Sequence, residues 1–276
     1  MKRHSYIGTV LIVLVVVTMV FVNLLPVYWL ASTSLRSKAD QFAMPPKLMF
    51  VPTLEHFKTA LGKDSGYFHY FKNSTIVAVG ATSLTLLLGV PTAYSIARLK
   101  LRRKRDIAFY ILTLRFAAPI GVLLPLFLTF RTMGLLDTYP ALILLHTIMN
   151  LPLVTWMMKG FIEDVPKEIE ESAKIDGCTE LGSMMRIVLP CSLPGMIATS
   201  ILSAIFSWNE LFFAVALTGQ KTKTLPVALY GYVSVHQIDW GALGASGLVT
   251  AIPVVLFAIL VQRYVVKGLT FGAVKG

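Results

Sequence analysis

The sequence contains little cysteine and little charge. Its two cysteines, Cys178 and Cys191, do not belong to any metal-ligand spacing, which argues against a zinc-based fold. Charged residues make up 14% of the chain and hydrophobic residues 55%, a balance that excludes an ordinary soluble domain. Neither a helix-turn-helix nor a basic aromatic platform is present, so nucleic acid is not an expected partner despite the net charge of +11.

A phosphate-binding loop is also missing. No G-x-x-x-x-G-K-[ST] pattern occurs, and the stretch 219–222 lacks the upstream glycine that such a loop needs. The chain is therefore not expected to hydrolyse ATP itself. We expect it to bind no cofactor and no metal.

Long apolar runs dominate what the sequence does contain. A membrane-spanning helix needs about 20 mostly apolar residues, and continuous rather than alternating runs disfavour a β-barrel. The sequence therefore predicts an all-α membrane protein with six transmembrane helices. Small residues in the second run, among them Gly80 and Gly89, either permit close helix approach or reflect the general frequency of glycine in membranes. The predicted spans are 7–31, 73–97, 107–130, 140–158, 187–217 and 240–261.

Basic residues between the runs predict the orientation. Six of the eight residues in 98–105 are Lys or Arg, and such residues accumulate in cytoplasmic loops. Because six spans put both termini on one side, we expect an N-in, C-in topology with 98–105 and 159–186 in the cytoplasm. Anionic lipid head groups are the expected partner of the basic loop. The long connection 32–70 is expected to form a small extracytoplasmic subdomain.

The stretch 166–195 differs from its apolar neighbours because it is charged. Pro166 and the acidic residues after it favour a helix start, and Gly177 fits a helix stop. Thr179 is expected to cap a second short helix. The sequence thus predicts a bent pair of water-exposed helices, for which an ordinary solvated loop is the alternative interpretation.

This stretch carries a resemblance to a known family. Glu171-Ser-Ala173, Gly177 and Ile187-Val-Leu-Pro190 follow the spacing of the EAA motif of ABC importer permeases, with Ser172 where alanine is commoner. Further motifs resemble the maltose-transporter branch, the carbohydrate-uptake permeases. These are Gly134-Leu-Leu-Asp-Thr138, Asn150-Leu-Pro152, Trp208-Asn-Glu210 and the terminal stretch 268–276. The resemblance covers essentially the whole chain.

The resemblance implies a type I ABC importer transmembrane domain, multi-pass in the bacterial plasma (inner) membrane. Such a chain is the permease subunit of an ATP-driven carbohydrate importer, which moves sugar by alternating access. The implied partners are a second, homologous permease, two cytoplasmic ATPase subunits that hold ATP and Mg, and an extracytoplasmic solute-binding protein. The expected divisions are 1–72 (first transmembrane helix and outer loop), 73–267 (core, with the coupling loop 161–190) and 268–276 (cytoplasmic tail).

The resemblance also implies which segments contact those partners. The helix that ends at Gly177 corresponds to a coupling helix that contacts the ATPase, and the outer loop 218–239 to a segment that touches the binding protein. Spacing places Ile169 and Ala173 on one face of that helix, opposite its carboxylates. The expected coupling residues are Glu168, Glu170, Glu171, Ser172, Ala173, Asp176 and Gly177, and the expected tail contacts with the ATPase are Thr270, Gly272, Ala273 and Lys275.

Polar side chains inside the predicted spans are candidates for the translocation path. An ionised group at mid-bilayer costs about 2.5–3.5 kcal/mol, so Arg115 should face protein or water. At a rise of about 1.5 Å per residue, Arg115 and Asn150 lie at similar depth in the membrane. The depth of Glu210 differs from theirs by about 20 Å, which places it near the outer mouth. Hydrogen bonds that only hold the helices together are the alternative role. The path candidates are Arg115, Asn150, Trp208, Asn209 and Glu210.

Two other functions fit the same topology. A secondary, ion-coupled transporter normally needs paired carboxylates at mid-membrane, and the apolar runs contain none. A non-transporting membrane scaffold is the other alternative. An associated ATPase that responds to a liganded binding protein distinguishes the importer from both.

Overall fold

The described part of the chain is built from α-helices joined by short turns. The computed structural model describes residues 6–45, 47, 49–116, 118–233 and 238–272, with side chains between 8 and 262. Helical structure dominates these residues, as the all-α prediction requires, and they include one isolated β-bridge, Val233–Ile238. The helices are α1 (Tyr6–Leu35), α2 (Lys38–Gln41), α3 (Glu55–Leu61), α4 (Tyr67–Arg98), α5 (Lys104–Thr113), α6 (Pro119–Thr132), α7 (Tyr139–Glu163), α8 (Lys167–Ile175), α9 (Glu180–Ser183), α10 (Leu189–Cys191), α11 (Leu193–Trp208), α12 (Phe212–Leu217), α13 (Leu225–Tyr230) and α14 (Trp240–Gly272).

Four of these helices are long and apolar enough to cross a membrane by themselves. They are α1, α4, α7 and the part of α14 up to Gln262. Two bent pairs add a fifth and a sixth candidate if each pair counts as one span: α5 with α6, and the segment Glu180–Cys191 with α11. The predicted number of six spans is therefore reached only when both bent pairs are counted.

The segments 107–130 and 187–217 are predicted as single spans, but each contains a break. The first is interrupted between the 3-10 turn Leu114–Phe116 and the proline that begins α6. The second turns by 80° between Glu180–Cys191 and α11, and α11 ends at Trp208. A proline stands at each break, and it cannot donate the backbone hydrogen bond that would continue the preceding helix. Pro119 and Pro194 stand in the first turns of α6 and α11.

The chain divides into two compact units, and the first comprises residues 1–68 and 229–252. His56 organises its polar interior, because His56 Nε2 lies 3.0 Å from the carbonyl oxygen of Arg36 and 2.9 Å from Gln41 Nε2. Gly241 passes so close that a Cβ there would lie 2.2 Å from the His56 ring. The apolar side chains of α1 from Val10 to Trp29 are exposed, as expected of a helix that faces a membrane.

The second unit comprises residues 69–228 and 253–276 and is centred on α7. Leu142, Leu145 and Met158 of this helix are fully buried. The predicted close approach of α4 is confirmed at Gly80, where a Cβ would lie 2.7 Å from Ile143 Cδ1 of α7. One hydrophobic cluster joins α4 and α7 to the residues that follow α9, and another joins α4, α6, α7 and α12. The stretch after α9 is thereby part of the core.

Candidate functional site

The charged stretch folds into two helices separated at Gly177, as predicted. Helix α8 begins after Pro166, which occupies the N-cap rather than the predicted first helical position. At its end, Cys178 N–H donates to the carbonyl oxygen of Ala173 (3.0 Å) and Gly177 N–H to that of Lys174 (3.1 Å). This pair of bonds is a Schellman motif, whose C′ residue is usually glycine. Gly177 has a φ of 90°, a backbone conformation that glycine adopts with less strain than other residues.

The second helix starts at the predicted cap. Thr179 Oγ1 accepts a hydrogen bond from Gly182 N–H at 3.1 Å, which satisfies one free donor of α9. The chain continues through a π-helical turn, Met184–Val188, into α10. Both ends of that turn are buried against α7. The C-terminal half of the charged stretch is therefore held by the transmembrane core.

Glu170 attaches the first helix to the same core. Its Oε2 lies 2.9 Å from Nε of Arg98, and both side chains are only 4% exposed. The hydroxyl of Tyr94 donates to Glu170 Oε1, and Lys174 Nζ lies 3.3 Å from that oxygen. Arg98 Nη2 also donates to the carbonyl oxygen of Val165 at 2.6 Å. These contacts, called here the Glu170 anchor, join α8 and Val165 to the last turn of α4.

The predicted separation of an apolar face from the carboxylates of α8 is wrong. Ala173 is buried, but Ile169 is 47% exposed and Glu170 occupies the buried face in its place. Burial of a carboxylate is costly unless it is paired and hydrogen-bonded. Arg98 and Tyr94 supply that pairing from α4, and helical spacing within α8 alone cannot reveal partners from another helix.

The outer face of the charged stretch combines acidic and apolar side chains. Ile175 is 87% exposed and Leu181 64% exposed, and exposed apolar groups beside polar ones are typical of a protein interface. Sequence reasoning missed both, although apolar residues in so charged a segment were a visible signal. Sequence reasoning also missed Tyr94 and Arg98. The only signal for them was that they stand four residues apart, on one helix face, at the end of a predicted span. The predicted coupling residues exposed on this face are Glu168, Glu171, Ser172, Asp176 and Gly177.

Three of the predicted path residues line one cavity in the second unit. Arg115, Asn150 and Glu210 border a space of about 700 Å³ whose walls are mainly apolar. This differs from the predicted placement of Glu210 at a separate outer mouth. A depth calculated from the rise per residue holds only for a helix that is straight from residue 187, whereas this helical path turns by 80° before α11. No Arg115–Glu210 ion pair is present among the described residues.

Arg115 and Asn150 each bond to a neighbouring helix. Arg115 Nη1 donates to the carbonyl oxygen of Met149 at 2.8 Å, and its guanidinium carbon lies 4.6 Å from the centroid of the Phe206 ring. Asn150 is buried, and its Nδ2 donates to Ser207 Oγ of α11 at 2.9 Å. Both residues therefore have a structural role, whether or not they also contact a transported molecule.

Glu210 is held firmly at the edge of the same cavity. Its carboxylate oxygens accept hydrogen bonds from Phe213 N–H (2.9 Å) and Ala214 N–H (3.0 Å), and Oε2 lies 3.5 Å from Nε2 of buried His146. The carboxylate thus caps α12 and orders the turn after α11. His146 was named in no predicted site, although a histidine within an apolar run was a visible signal.

The two remaining path candidates lie elsewhere. Trp208 is buried, and its ring packs edge-on against Phe71 with 5.4 Å between centroids. Asn209 is exposed and donates to the carbonyl oxygen of Ile205 at 2.9 Å. Neither residue lines the cavity of Arg115.

Asp137, in the Gly-Leu-Leu-Asp-Thr motif, holds residues 219–222 of the outer loop. Its carboxylate accepts hydrogen bonds from Lys221 N–H (3.1 Å), Thr222 N–H (2.9 Å) and Thr222 Oγ1 (2.8 Å). Burial alone would raise the pKa of Asp137, but the hydrogen bonds from Thr222, Gly219 and Lys221 lower it to about 2. The carboxylate is therefore ionised at neutral pH and keeps this part of the loop in place.

The predicted tail contacts fall at the limit of the structure. Ala273 and Lys275 lie outside the described residues. Thr270 and Gly272 belong to α14, in a part whose side chains the structure does not describe. The contacts of the tail with an ATPase stay predictions.

Comparison with known proteins identifies the family. Residues 85–271 match the family described as binding-protein-dependent transport system inner membrane component. The chain is 34% identical to the sulfoquinovosyl glycerol transport system permease protein SmoH of Agrobacterium fabrum, with 92% of this chain and 90% of that protein covered. It is 30% identical to the trehalose/maltose transport system permease protein MalG of Thermococcus litoralis, with 99% of each covered.

A solved structure shows the same fold. It is a chain of a bacterial ABC transporter involved in the import of the acidic polysaccharide alginate, with a TM-score of 0.77, 22% identity, and coverage of 96% of this chain and 98% of that chain. Sequence, fold and the exposed charged stretch between membrane helices agree on one class of protein. The chain therefore belongs to the binding-protein-dependent transport system inner membrane components, the permease subunits of ABC importers.

Proposed function

We propose that this chain is the permease subunit of an ATP-driven carbohydrate importer that works by alternating access. The observation that carries the proposal is the Glu170 anchor, which joins the exposed helix α8 to the last turn of α4. A force on α8 reaches a membrane helix directly, as rigid-body transmission requires. Relatives named for sulfoquinovosyl glycerol and for trehalose and maltose support a carbohydrate substrate.

The proposed assembly contains a second, homologous permease, two cytoplasmic ATPase subunits and an extracytoplasmic solute-binding protein. ATP and Mg are held by the ATPases, because this chain has no phosphate-binding loop. Exposed Ile175 and Leu181 support docking of an ATPase at α8. The proposed orientation places both termini and α8 in the cytoplasm, with six spans, and rests on the basic loop that follows α4.

Purification of the permease from its native membrane tests this function. The ATPase is expected to co-purify, and its hydrolysis rate is expected to rise when the sugar-loaded binding protein is added to proteoliposomes. The sugar-free binding protein is the matched control. Uptake that follows an ion gradient without ATP would instead indicate a secondary transporter, and a permease without ATPase or uptake would indicate a scaffold.

The cavity bordered by Arg115, Asn150 and Glu210 is proposed to be part of the sugar path. Its volume of about 700 Å³ lies in the range of about 300–1,000 Å³ typical of small-molecule sites. A few polar groups set in mainly apolar walls are typical of small-molecule sites, and these polar groups can bond to sugar hydroxyls. A guanidinium has five N–H donors, and the described hydrogen bond of Arg115 uses only one of them.

Arg115→Ala and Asn150→Ala are each expected to lower the uptake rate or the apparent sugar affinity about tenfold, the effect of losing one strong hydrogen bond. Initial uptake rates in proteoliposomes over a range of sugar concentrations measure both quantities. Arg131→Ala, which removes an exposed arginine at the end of α6, is the control for loss of charge. Unchanged rate and affinity with a lower yield of complex would leave the two residues only a structural role.

A further inference from the structure

A second cavity lies within the first unit and shares no lining residue with the cavity of Arg115. It has a volume of about 510 Å³ and is bordered by the last turns of α1, by α2 and the residue after it, and by the start of α14. Its walls are mainly apolar, and Trp29 and Trp240 contribute to them. Both tryptophans are about half exposed, so the cavity opens to the surface of this unit.

Arg36 is the charged group that lines this cavity, and it forms no salt bridge among the described residues. The residue is 3% exposed, and its Nε and Nη2 atoms are buried without a hydrogen-bond partner. The guanidinium lies between two rings, with its carbon 5.3 Å from the centroid of Trp29 and 4.9 Å from that of Phe50. Aromatic faces stabilise a cation but accept no conventional hydrogen bond from it. An anion beside Arg36 would supply the missing hydrogen-bond acceptors, and an unpaired buried charge is costly without them.

The positive charge of Arg36 helps to lower the pKa of Asp40, but the close contacts of this carboxylate are with other groups. Asp40 Oδ1 lies 2.6 Å from Lys47 Nζ, and its other oxygen accepts from Ser37 Oγ at 2.9 Å. The hydrogen bonds from Lys47 and Ser37 lower the pKa of Asp40, so this carboxylate is ionised at neutral pH but engaged by Lys47. Arg36 therefore receives no hydrogen-bond acceptor from Asp40, and its Nε and Nη2 atoms stay without a partner.

The place of the cavity along α1 indicates the source of the anion. Helix α1 has 30 residues, about 45 Å at about 1.5 Å per residue, which is the full thickness of a bilayer with its head groups. Arg36 directly follows the end of α1 and thus lies at head-group depth. Trp29 is about 10 Å deeper, near the interface where tryptophan is enriched.

We propose that this cavity binds a membrane phospholipid, with the phosphate on Arg36 and an acyl chain along Leu25 and Pro26. The planar guanidinium fits two phosphate oxygens at once. The apolar wall matches the start of the acyl chain, whereas a free phosphate ion would leave that wall unused. This site is independent of the sugar path and of the ATPase contacts.

Native mass spectrometry of the purified transporter tests the proposal, with phosphatidylglycerol as the probe. The wild-type complex is expected to retain one phosphatidylglycerol that Arg36→Gln binds about tenfold more weakly. Lys58→Gln, which removes an exposed charge from α3 of the same unit, is expected to bind like the wild type. Arg36→Lys keeps the charge but loses the planar guanidinium, and it is expected to bind with intermediate strength. It provides a second variant should Arg36→Gln misfold.

Three results would overturn the proposal. The first is equal phosphatidylglycerol retention by wild type and by both Arg36 variants. The second is Arg36-dependent thermal stabilisation by millimolar inorganic phosphate without any by phosphatidylglycerol, which would indicate an anion site for a soluble ligand. The third is loss of the partner permease from the Arg36 variants without a lipid difference, which would indicate that a protein side chain fills the cavity.

Discussion

Replacement of Glu170 with alanine is expected to destabilise the permease by about 3–5 kcal/mol and to abolish coupled uptake, because removal of one partner leaves the other buried charge unpaired. The unpaired group would be Arg98, whose side chain is 4% exposed. Since Glu170 faces α4 rather than the exterior, the loss of stability should be present without any ATPase. Thermal unfolding of the permease with and without ATPase, together with sugar uptake, measures the two effects.

Glu163→Ala is the matched control for this experiment. Glu163 pairs with Lys159 at 2.6 Å on the surface of α7, with side chains 39% and 19% exposed. Such a pair contributes only about 0.3–0.5 kcal/mol, so stability and uptake should hardly change. The double variant Glu170→Met/Arg98→Met is expected to recover part of the stability, because both charges are removed together. A Glu170→Ala protein as stable as the wild type, or unstable only with ATPase present, would contradict the anchor role.

Replacement of Gly177 with proline is expected to uncouple ATP hydrolysis from uptake while the chain still inserts into the membrane. Proline requires a φ near −65°, whereas Gly177 has a φ of 90°. The Schellman motif at the end of α8 would therefore be lost, and α8 would meet the ATPase at a different angle. ATPase activity and sugar uptake, measured on the same proteoliposomes, should give hydrolysis without uptake.

Gly177→Asn distinguishes this backbone effect from a general effect of substitution. Asparagine tolerates the left-handed conformation better than other side chains, and a Cβ at Gly177 would meet no atom within 4 Å. This variant should keep most of the uptake. Glu171→Lys, which changes only the exposed face of α8, should uncouple like proline but leave thermal stability unchanged. Normal uptake in both Gly177→Pro and Glu171→Lys would count against the coupling role.

Much of the candidate site was predictable from local signals. The start of α8 near Pro166, its end at Gly177 and the cap at Thr179 depend on interactions within a few residues of each position. Local chemistry of this kind is encoded in the residue types themselves. The apolar runs likewise located the membrane helices, because the length of a span is set by bilayer thickness.

Other features depended on partners distant in sequence. Glu170 and Arg98 are 72 positions apart, and nothing in either neighbourhood indicates that they pair. The bends before α6 and α11 lie next to prolines in the first turns of these helices, but prolines inside α4, α7 and α14 produce no such break. A proline therefore marks a possible bend, and the surrounding packing decides whether the helix breaks.

The sequence by itself determined the membrane class, the approximate spans, the family resemblance and the local form of the coupling helix, because hydrophobic length and turn chemistry act over short distances. Only the tertiary structure decided which carboxylate is buried, that Arg115, Asn150 and Glu210 share a cavity, and that two nitrogen atoms of Arg36 are buried without a hydrogen-bond partner. Burial and pairing of a charge depend on which helices meet, and that is settled by packing across the whole chain.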